Sequence, residues 1–329
     1  MNIQDGSKTP EIRELRSEEL DEFVTLMVDA FKDNVNENQL DIDAIRKALK
    51  KLQTPLYKFI QRLVGMRMEF YVVTVNNEIA SGIRLTIKKD EIYISDVMTH
   101  PKYRRQGFAR ELLHFSFKRA NELHKKKMRL DVRSENANAV GLYVSEGFET
   151  IYRTGRFALD PSIDRMEKVS TELIVKRVNK ITKPNFDAML DDCYPESYLK
   201  TIGRDKLLKD IVPSRLTRFF AKQLEGQKLH SYIFHIEGDE SSRGIIQATQ
   251  SRIEQLIRLS SPILLEKDNN LLLQVIPRIL EIEARYRGVT NASIQCSIHR
   301  TDALSKIVAL GFKKVRDNLT MIKWPVHSL

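Results

Sequence analysis

The chain has 329 residues, 42% of them apolar and 30% charged, with a formal net charge of +10. That length is more than one ordinary core holds, so two domains are expected, with the composition of a soluble globular protein. No apolar run reaches spanning length, and residues 1–10 are polar without a signal-peptide core; no membrane partner is expected, and the chain reads as cytoplasmic. Cys193 and Cys296 lie far apart in sequence and show no metal spacing, so neither a disulfide framework nor a metal is expected. Cys296 alternates with apolar neighbours, as a buried strand residue does, and Cys193 reads as an ordinary thiol.

Residues 12–15 read as a first strand. Ser17 reads as the N-cap of a helix with Glu18, Glu19, Asp21 and Glu22 in its first turn and Leu20, Phe23, Val24, Met27 and Phe31 on its apolar face. A second helix spans 41–52 through Ile42, Ile45, Leu49 and Leu52, and Thr54 with Pro55 starts a short third. Strands at 69–75, 79–87 and 91–98, joined by Asn76-Asn77-Glu78 and Lys88-Lys89-Asp90, form an antiparallel meander. A basic turn then leads into an apolar-periodic helix carrying Leu112, Leu113, Phe115 and Phe117. A strand at 128–133, a helix at 137–146 and a closing hairpin, 148–153 with 156–159, complete the first half. Residues 159–171 read as a linker, because they hold Pro161, several charges and no periodicity.

A second pattern starts with a strand at 172–178 and repeats the first near its end. Strand 292–298 matches 128–134, residues 303–312 match 139–148, and a hairpin of 313–316 with 319–324 matches the closing hairpin. Strands at 231–236 and 244–248 suggest another meander. The expected division is therefore 1–160, a linker at 161–171, and 172–329.

The stretch D-V-M-T-H-P-K-Y-R-R-Q-G-F-A-R-E-L-L, residues 96–113, organises the first half. It reads as strand, turn, helix. Backbone N–H groups of residues 105–109 would point into the turn, and the helix N-terminus would add its positive dipole end, giving an anion site fit for a pyrophosphate. Gly107 permits close approach of a phosphate to the backbone, and Ala109 leaves the helix start uncrowded.

Arg104-x-x-Gly107-x-Ala109, in the context Y-R-R-Q-G-F-A-R-E-L-L, resembles the acetyl-coenzyme-A loop of the GCN5-related N-acetyltransferases (GNAT). A second element, Leu130-Asp131-Val132 followed by Asn136, Ala139, Leu142-Tyr143 and Gly147-Phe148, stands at that family's distance. The resemblance implies an α/β (α+β) fold of two GNAT-type domains. Each would be a mixed, mostly antiparallel twisted sheet flanked by helices, with a splayed central parallel strand pair that coenzyme A enters. It also implies acetyl-CoA as co-substrate and an amine acceptor, either a small molecule or a peptide or protein amine, near the helices between the first two strands.

By the same resemblance Val97, Met98 and Thr99 line the cofactor. Arg104, Arg105, Gln106, Gly107, Phe108, Ala109 and Arg110 hold its phosphates, and Asn136 meets the pantetheine arm. Tyr143 stands where the family's tyrosine protonates the departing sulfur, and Asp96 where an acidic residue acts as base, directly or through water. From the residues alone, Tyr143 also reads as a buried aromatic, Asn136 as a helix N-cap and Asp96 as a structural carboxylate. His100 reads as a loop residue, and His114 shows no metal spacing.

Basic residues crowd 102–133, where nucleic acid is one conceivable partner; coenzyme A accounts for the first part, and the rest reads as a solvated face. The second half departs from the motif. Residues 261–270, S-P-I-L-L-E-K-D-N-N, hold no glycine and two acids where a pyrophosphate would lie; Ile307 replaces Tyr143, and Arg300 replaces Asn136. The chain thus reads as an N-acetyltransferase with one active and one degenerate domain, the latter serving to bury, shape the acceptor pocket or dimerise. The rival reading is a non-catalytic regulator that senses coenzyme A or binds nucleic acid.

Overall fold

A computed structural model describes residues 9–32, 41–63, 65–159, 172–181, 186–222, 226–239, 241–250, 256–287 and 291–324. The linker expected at 161–171 lies outside them. The chain forms two compact units that interleave in sequence: Met1–Val132, Asn136–Thr150 and Thr320–Leu329 in the first, Arg133–Glu135 and Ile151–Leu319 in the second.

In the first unit, strand β1 (Glu11–Glu14) pairs antiparallel with β2 (Arg67–Val75), β2 with β3 (Glu78–Ile87), and β3 with β4 (Glu91–Thr99). β4 then runs parallel to β5 (Lys127–Arg133). The β2–β3 turn is tight because Asn76 and Asn77 both take positive φ, 52° and 67°, a conformation asparagine tolerates and hairpin twist requires. Helices α1 (Leu20–Ala30), α2 (Ile42–Leu52) and α3 (Pro55–Leu63) fill the β1–β2 connection. Ser17 does not cap α1. Residues Ser17–Glu19 form a 3-10 turn, and the Glu19 carboxylate accepts the Arg16 N–H at 3.1 Å while binding Arg13. The long helix α4 (Phe108–Glu122) follows β4, and α5 (Ala137–Ser145) follows β5. Phe23, Val72, Ile83, Leu85, Ile92, Ile94, Leu112, Leu113 and Met128 are buried, and they come from strands and both long helices as their periodicity requires.

The second unit repeats this order. β7 (Leu173–Val178), β8 (Lys228–Ile236), β9 (Gly244–Gln250) and β10 (Ile257–Leu259) pair antiparallel in turn, and β10 runs parallel to β12 (Ala292–Ser297). The short β11 (Ile263–Leu264) pairs with β9. Between β7 and β8 lie α6 (Asp187–Cys193), α7 (Glu196–Ile202), α8 (Arg204–Ile211) and α9 (Arg215–Phe220); α10 (Leu272–Arg287) and α11 (Thr301–Ala309) follow β11 and β12. Tyr232, Phe234, Ile246, Leu259, Ile276, Ile294, Cys296 and Phe312 form its main core.

The closing hairpins are the chief departure from the sequence reading. β6 (Glu149–Leu159) and β13 (Phe312–Lys323) are each one unbroken strand. Residues 154–158 of β6 pair antiparallel with β12 in the second unit. The end of β13 serves the first unit, where Thr320 Oγ1 donates to Asp131 of β5 at 2.6 Å and Lys323 Nζ donates to the Glu146 carbonyl at 2.7 Å. The two halves thus exchange their closing strands. Gly155 and Asn318 read locally as turn residues, but the partner strands lie far away in sequence.

Across the first unit, Glu69 of β2 is 8% exposed. It accepts from Arg119 of α4 at 2.9 Å, Arg67 at 2.6 Å and the Tyr71 hydroxyl at 2.9 Å, which pins the helix to the strand. Burial pushes this carboxyl up, but the Arg119 and Tyr71 hydrogen bonds outweigh it and leave Glu69 below its ordinary value. A depressed carboxyl stabilises the fold above its unfolded pKa, about 4.3, and that contribution disappears as pH falls through the folded value. Glu69→Gln should therefore cost about 1–3 kcal/mol at neutral pH. In urea unfolding the parent and the variant should converge in acid; a gap equal at neutral and acid pH would refute this account.

Candidate active site

The site begins with an interruption in β4. Pairing with β3 matches Gly82 to Met98 and Arg84 to Ser95, so β4 carries one extra residue in this interval. This β-bulge sits at Asp96, which takes φ 52°. Arg84 holds it from β3, with Nε 2.7 Å from the Asp96 carboxylate and 3.0 Å from Ser95 Oγ. Beyond it, Met98 is buried, and its carbonyl accepts the Ser81 hydroxyl at 2.6 Å. Parallel pairing of β4 with β5 ends at Ile94 and Leu130, although both strands continue. Val97, Met98 and Thr99 therefore line the strand where it no longer pairs with β5.

The turn after β4 is held from below. Tyr103 is buried and donates its hydroxyl to Glu78 at 2.7 Å, where Lys102 also pairs at 3.2 Å. Arg104 Nε donates to the Thr99 carbonyl at 3.4 Å, and Gln106 Nε2 to the Lys102 carbonyl at the same distance. Arg105 and Gly107 both take positive φ, 65° and 90°. Gly107 is the N-cap of α4, and a Cβ built there meets nothing within 4 Å. The space beside the glycine is thus open. The first N–H to find an intrahelical acceptor is that of Glu111, on the Gly107 carbonyl at 3.1 Å. Those of Phe108, Ala109 and Arg110 have none by helix geometry, so they are available to an anion.

Not every predicted contact is built alike. Phe108 is buried against Tyr103. The Arg110 guanidinium turns to α5, 2.6 Å from Glu146 and 3.1 Å from Ser145 Oγ, which leaves only its backbone N–H for the turn. His114 meets the other Glu146 oxygen at 2.7 Å. Sequence reasoning missed this Glu146 junction, which ties α4 to α5; its only trace was an acid at the end of a helix. The basic run from Lys102 onward is largely paired: Arg119 binds Glu69 and Glu122, Lys126 faces Asp90, and Arg129 faces Glu91.

Asn136 is the N-cap of α5, and its side-chain oxygen accepts the Ala139 N–H at 3.1 Å. Two turns on, Tyr143 is 7% exposed and packs edge-on against Phe148. Its hydroxyl bonds no other described residue. Burial pushes the phenol up to about 12, so it stays protonated near neutral pH. The 100–110 segment follows β4 and the 134–143 segment follows β5. Because these strands are parallel, both segments stand at the same carboxyl end of the pair. A buried phenol with a free hydroxyl, a row of free N–H groups and a gap between strands can together hold an anionic cofactor and protonate its leaving group.

The sequence pattern of the acetyltransferase (GNAT) family matches residues 38–148. The chain carries a GNAT-family acetyltransferase domain. Over 98% of its length it superposes, at TM-score 0.67 and 12% identity, on 100% of a tandem GNAT protein from the clavulanic acid biosynthesis pathway, solved without AcCoA. A GCN5-related N-acetyltransferase from Sphaerobacter thermophilus matches 96% of each chain at TM-score 0.61 and 10% identity. A putative acetyltransferase from Pyrococcus horikoshii matches 98% of this chain and 91% of its own, at TM-score 0.55 and 16% identity. At these identities the likeness is one of fold. No protein of curated function matches the chain in sequence.

The second unit keeps the GNAT strand order and changes what lies at the strand ends. Arg300 stands at the N-cap of α11, the position Asn136 holds in the GNAT domain, and is buried. Its guanidinium donates to the carbonyls of Pro262 and Leu264 at 2.9 and 3.2 Å, to Asn269 Oδ1 at 2.7 Å, and to Cys193 Sγ at 3.2 Å. Where the first unit presents N–H groups, the second presents carbonyls to its own cation. Arg300→Leu should leave Asn269 Oδ1 without its donor and the Pro262 and Leu264 carbonyls with only the Cys193 thiol, at about 1–3 kcal/mol for each buried group left unpaired. Amide hydrogen exchange in residues 262–271 should accelerate; protection equal to the parent's would show that Arg300 does not hold this loop.

Proposed function

We propose that this chain is an acetyl-CoA-dependent N-acetyltransferase whose first unit is catalytic. The observation that carries this reading is the asymmetry of the two units. The first has left-handed Arg105 and Gly107 before an open helix N-terminus, with Tyr143 unbonded nearby in the fold. In the second, Arg300 is bonded into the corresponding loop and Ile307 replaces the tyrosine.

In this reading the N–H groups of residues 105–109 hold the pyrophosphate, and the gap between β4 and β5 admits the pantetheine arm. Asn136 adds its amide to that arm while its oxygen caps α5. A neutral amine attacks the thioester carbonyl carbon, and a backbone N–H near Met98 or Thr99 stabilises the oxygen as charge develops. The C–N bond forms, the C–S bond breaks, and Tyr143 gives its proton to the departing sulfur. A free lysine-type amine has a pKa of about 10.4, so its proton must be removed near neutral pH. Asp96 Oδ2 is taken by Arg84, so Asp96 serves through a water on its other oxygen. No metal enters the scheme. The acceptor class is an amine of a small molecule, peptide or protein, met on the side built by α1, α2 and α3.

Thiol release from acetyl-CoA, screened against pooled amines, should depend on an added amine; a coenzyme A sensor would bind without turnover. Tyr143→Phe keeps the ring and removes the proton, so kcat should fall by roughly tenfold to a thousandfold with cofactor affinity little changed. An unaltered kcat with chemistry rate-limiting would reduce Tyr143 to a core residue. Calorimetric titration of the parent should give one acetyl-CoA per chain. Gly107→Glu, which sets a carboxylate beside the pyrophosphate, should abolish that signal. A second saturable site surviving in this variant would contradict the assignment of one active unit.

A further inference from the structure

The second unit contains a cationic groove that the acetyltransferase reading does not use. It encloses about 420 Å³ and is lined by Arg177 of β7, Arg215, Arg218 and Phe219 of α9, and Lys222 and Lys228 beyond it. No acidic side chain is among its described lining residues. None of the five cationic side chains makes a hydrogen bond or ion pair with another described residue. By contrast, Arg13, Arg84, Arg119, Arg153 and Arg243 each meet a carboxylate.

The arrangement is built by the fold. Residues 215, 218, 219 and 222 recur at i, i+3, i+4 and i+7, which sets them on one side of α9 and its continuation. Arg177 stands opposite Tyr232 in the β7–β8 pairing, two residues beyond Lys228-Leu229-His230 at the start of β8. Phe219 and Leu216 are 54% and 55% exposed, so the cations share the surface with apolar area. Burial and the adjacent guanidinium groups of Arg177 and Arg215 hold Arg218 below its ordinary range. Like charges gathered without counter-charges destabilise a folded surface, and a bound anion removes that cost.

We propose that this groove binds a small phosphorylated ligand, its phosphates on Arg177, Arg215 and Arg218 and an apolar or aromatic portion against Phe219. The volume lies in the range of small-molecule sites, about 300–1,000 Å³. Planar guanidinium groups take phosphate oxygens in pairs, and so many cations in one groove call for a multiply charged partner. Phe219, more than half exposed, adds apolar area to the groove wall, which favours a phosphorylated ligand with a flat or apolar portion over inorganic phosphate.

The test is calorimetric titration of the full chain carrying Gly107→Glu, which blocks the anion site of the first unit, with inorganic pyrophosphate, ADP and citrate. Pyrophosphate and ADP should bind once per chain, ADP more tightly, and raised salt should weaken both. Arg215→Ala/Arg218→Ala should weaken them by roughly tenfold or more, with the circular dichroism spectrum unchanged. Arg177→Ala, on the opposite wall, should weaken them independently of any effect on α9. Phe219→Ala should remove the advantage of ADP and leave pyrophosphate as before. Affinity unaltered in the arginine variants, no saturable binding, or citrate held as well as pyrophosphate would overturn the proposal. So would binding of a single-stranded RNA oligonucleotide but not of the small phosphates.

Discussion

The first unit is organised by the place where two parallel strands stop pairing. β4 and β5 share hydrogen bonds only as far as Ile94 and Leu130, and both run on. A strand leaving its neighbour must place its backbone groups elsewhere or keep them for a ligand. The bulge at Asp96 performs the departure, and the Arg84 ion pair holds its left-handed backbone in place. Without this break, Val97, Met98 and Thr99 would be ordinary ladder residues, and the turn holding Arg105 and Gly107 would close onto a sheet edge.

The second unit contains the same break and resolves it with protein. β10 ends at Leu259, and the chain returns to β9 as β11 two residues after Ser261. The carbonyls freed there face the Arg300 guanidinium, and Asn269 and Cys193 complete its shell. Polarity is the difference between the units. N–H groups with a glycine between them attract an anion, whereas carbonyls around a buried arginine are satisfied and need no ligand. A change of a few residues at strand ends thus changes which polar groups that end of a unit presents while its strand order is kept.

Much of this was legible in the sequence. The meander, the long helix after the basic turn, the cap at Asn136 and the buried aromatic at 143 follow from apolar period and turn chemistry, which are local. The hairpins failed for the complementary reason. Gly155 and Asn318 look like turns, yet neither takes a positive φ, and residues on either side are claimed by strands more than a hundred positions away. Nothing local distinguishes a strand that folds back from one that continues to a distant partner. Arg300 was visible only as a mismatch with Asn136 in the repeat; that it would be buried by the carbonyls of a loop before α10 depends on three-dimensional closure. Ser17 is not the cap because residues Ser17–Glu19 form a 3-10 turn ahead of α1, held where Glu19, anchored by Arg13, accepts the Arg16 N–H.

How the chain treats its excess positive charge follows the same logic. In the first unit, Arg119, Arg129, Arg110 and Lys102 meet carboxylates from other elements, and through those pairs α4, β5 and the turn after β4 are fastened. Such pairs add little in water when exposed, but Glu69, Glu91 and Glu146 have carboxylates that are 10% exposed or less, where an unpaired charge would be costly. A cation paired with a buried acid is held in place, which is why the Arg110 guanidinium, despite its place in the motif, faces Glu146 rather than the turn. Arg105 is different. It projects from a left-handed residue at the turn, and its side chain has no partner among the described residues. Along this motif, then, proximity to the glycine does not decide which basic residues can meet a phosphate; prior engagement by a buried carboxylate does.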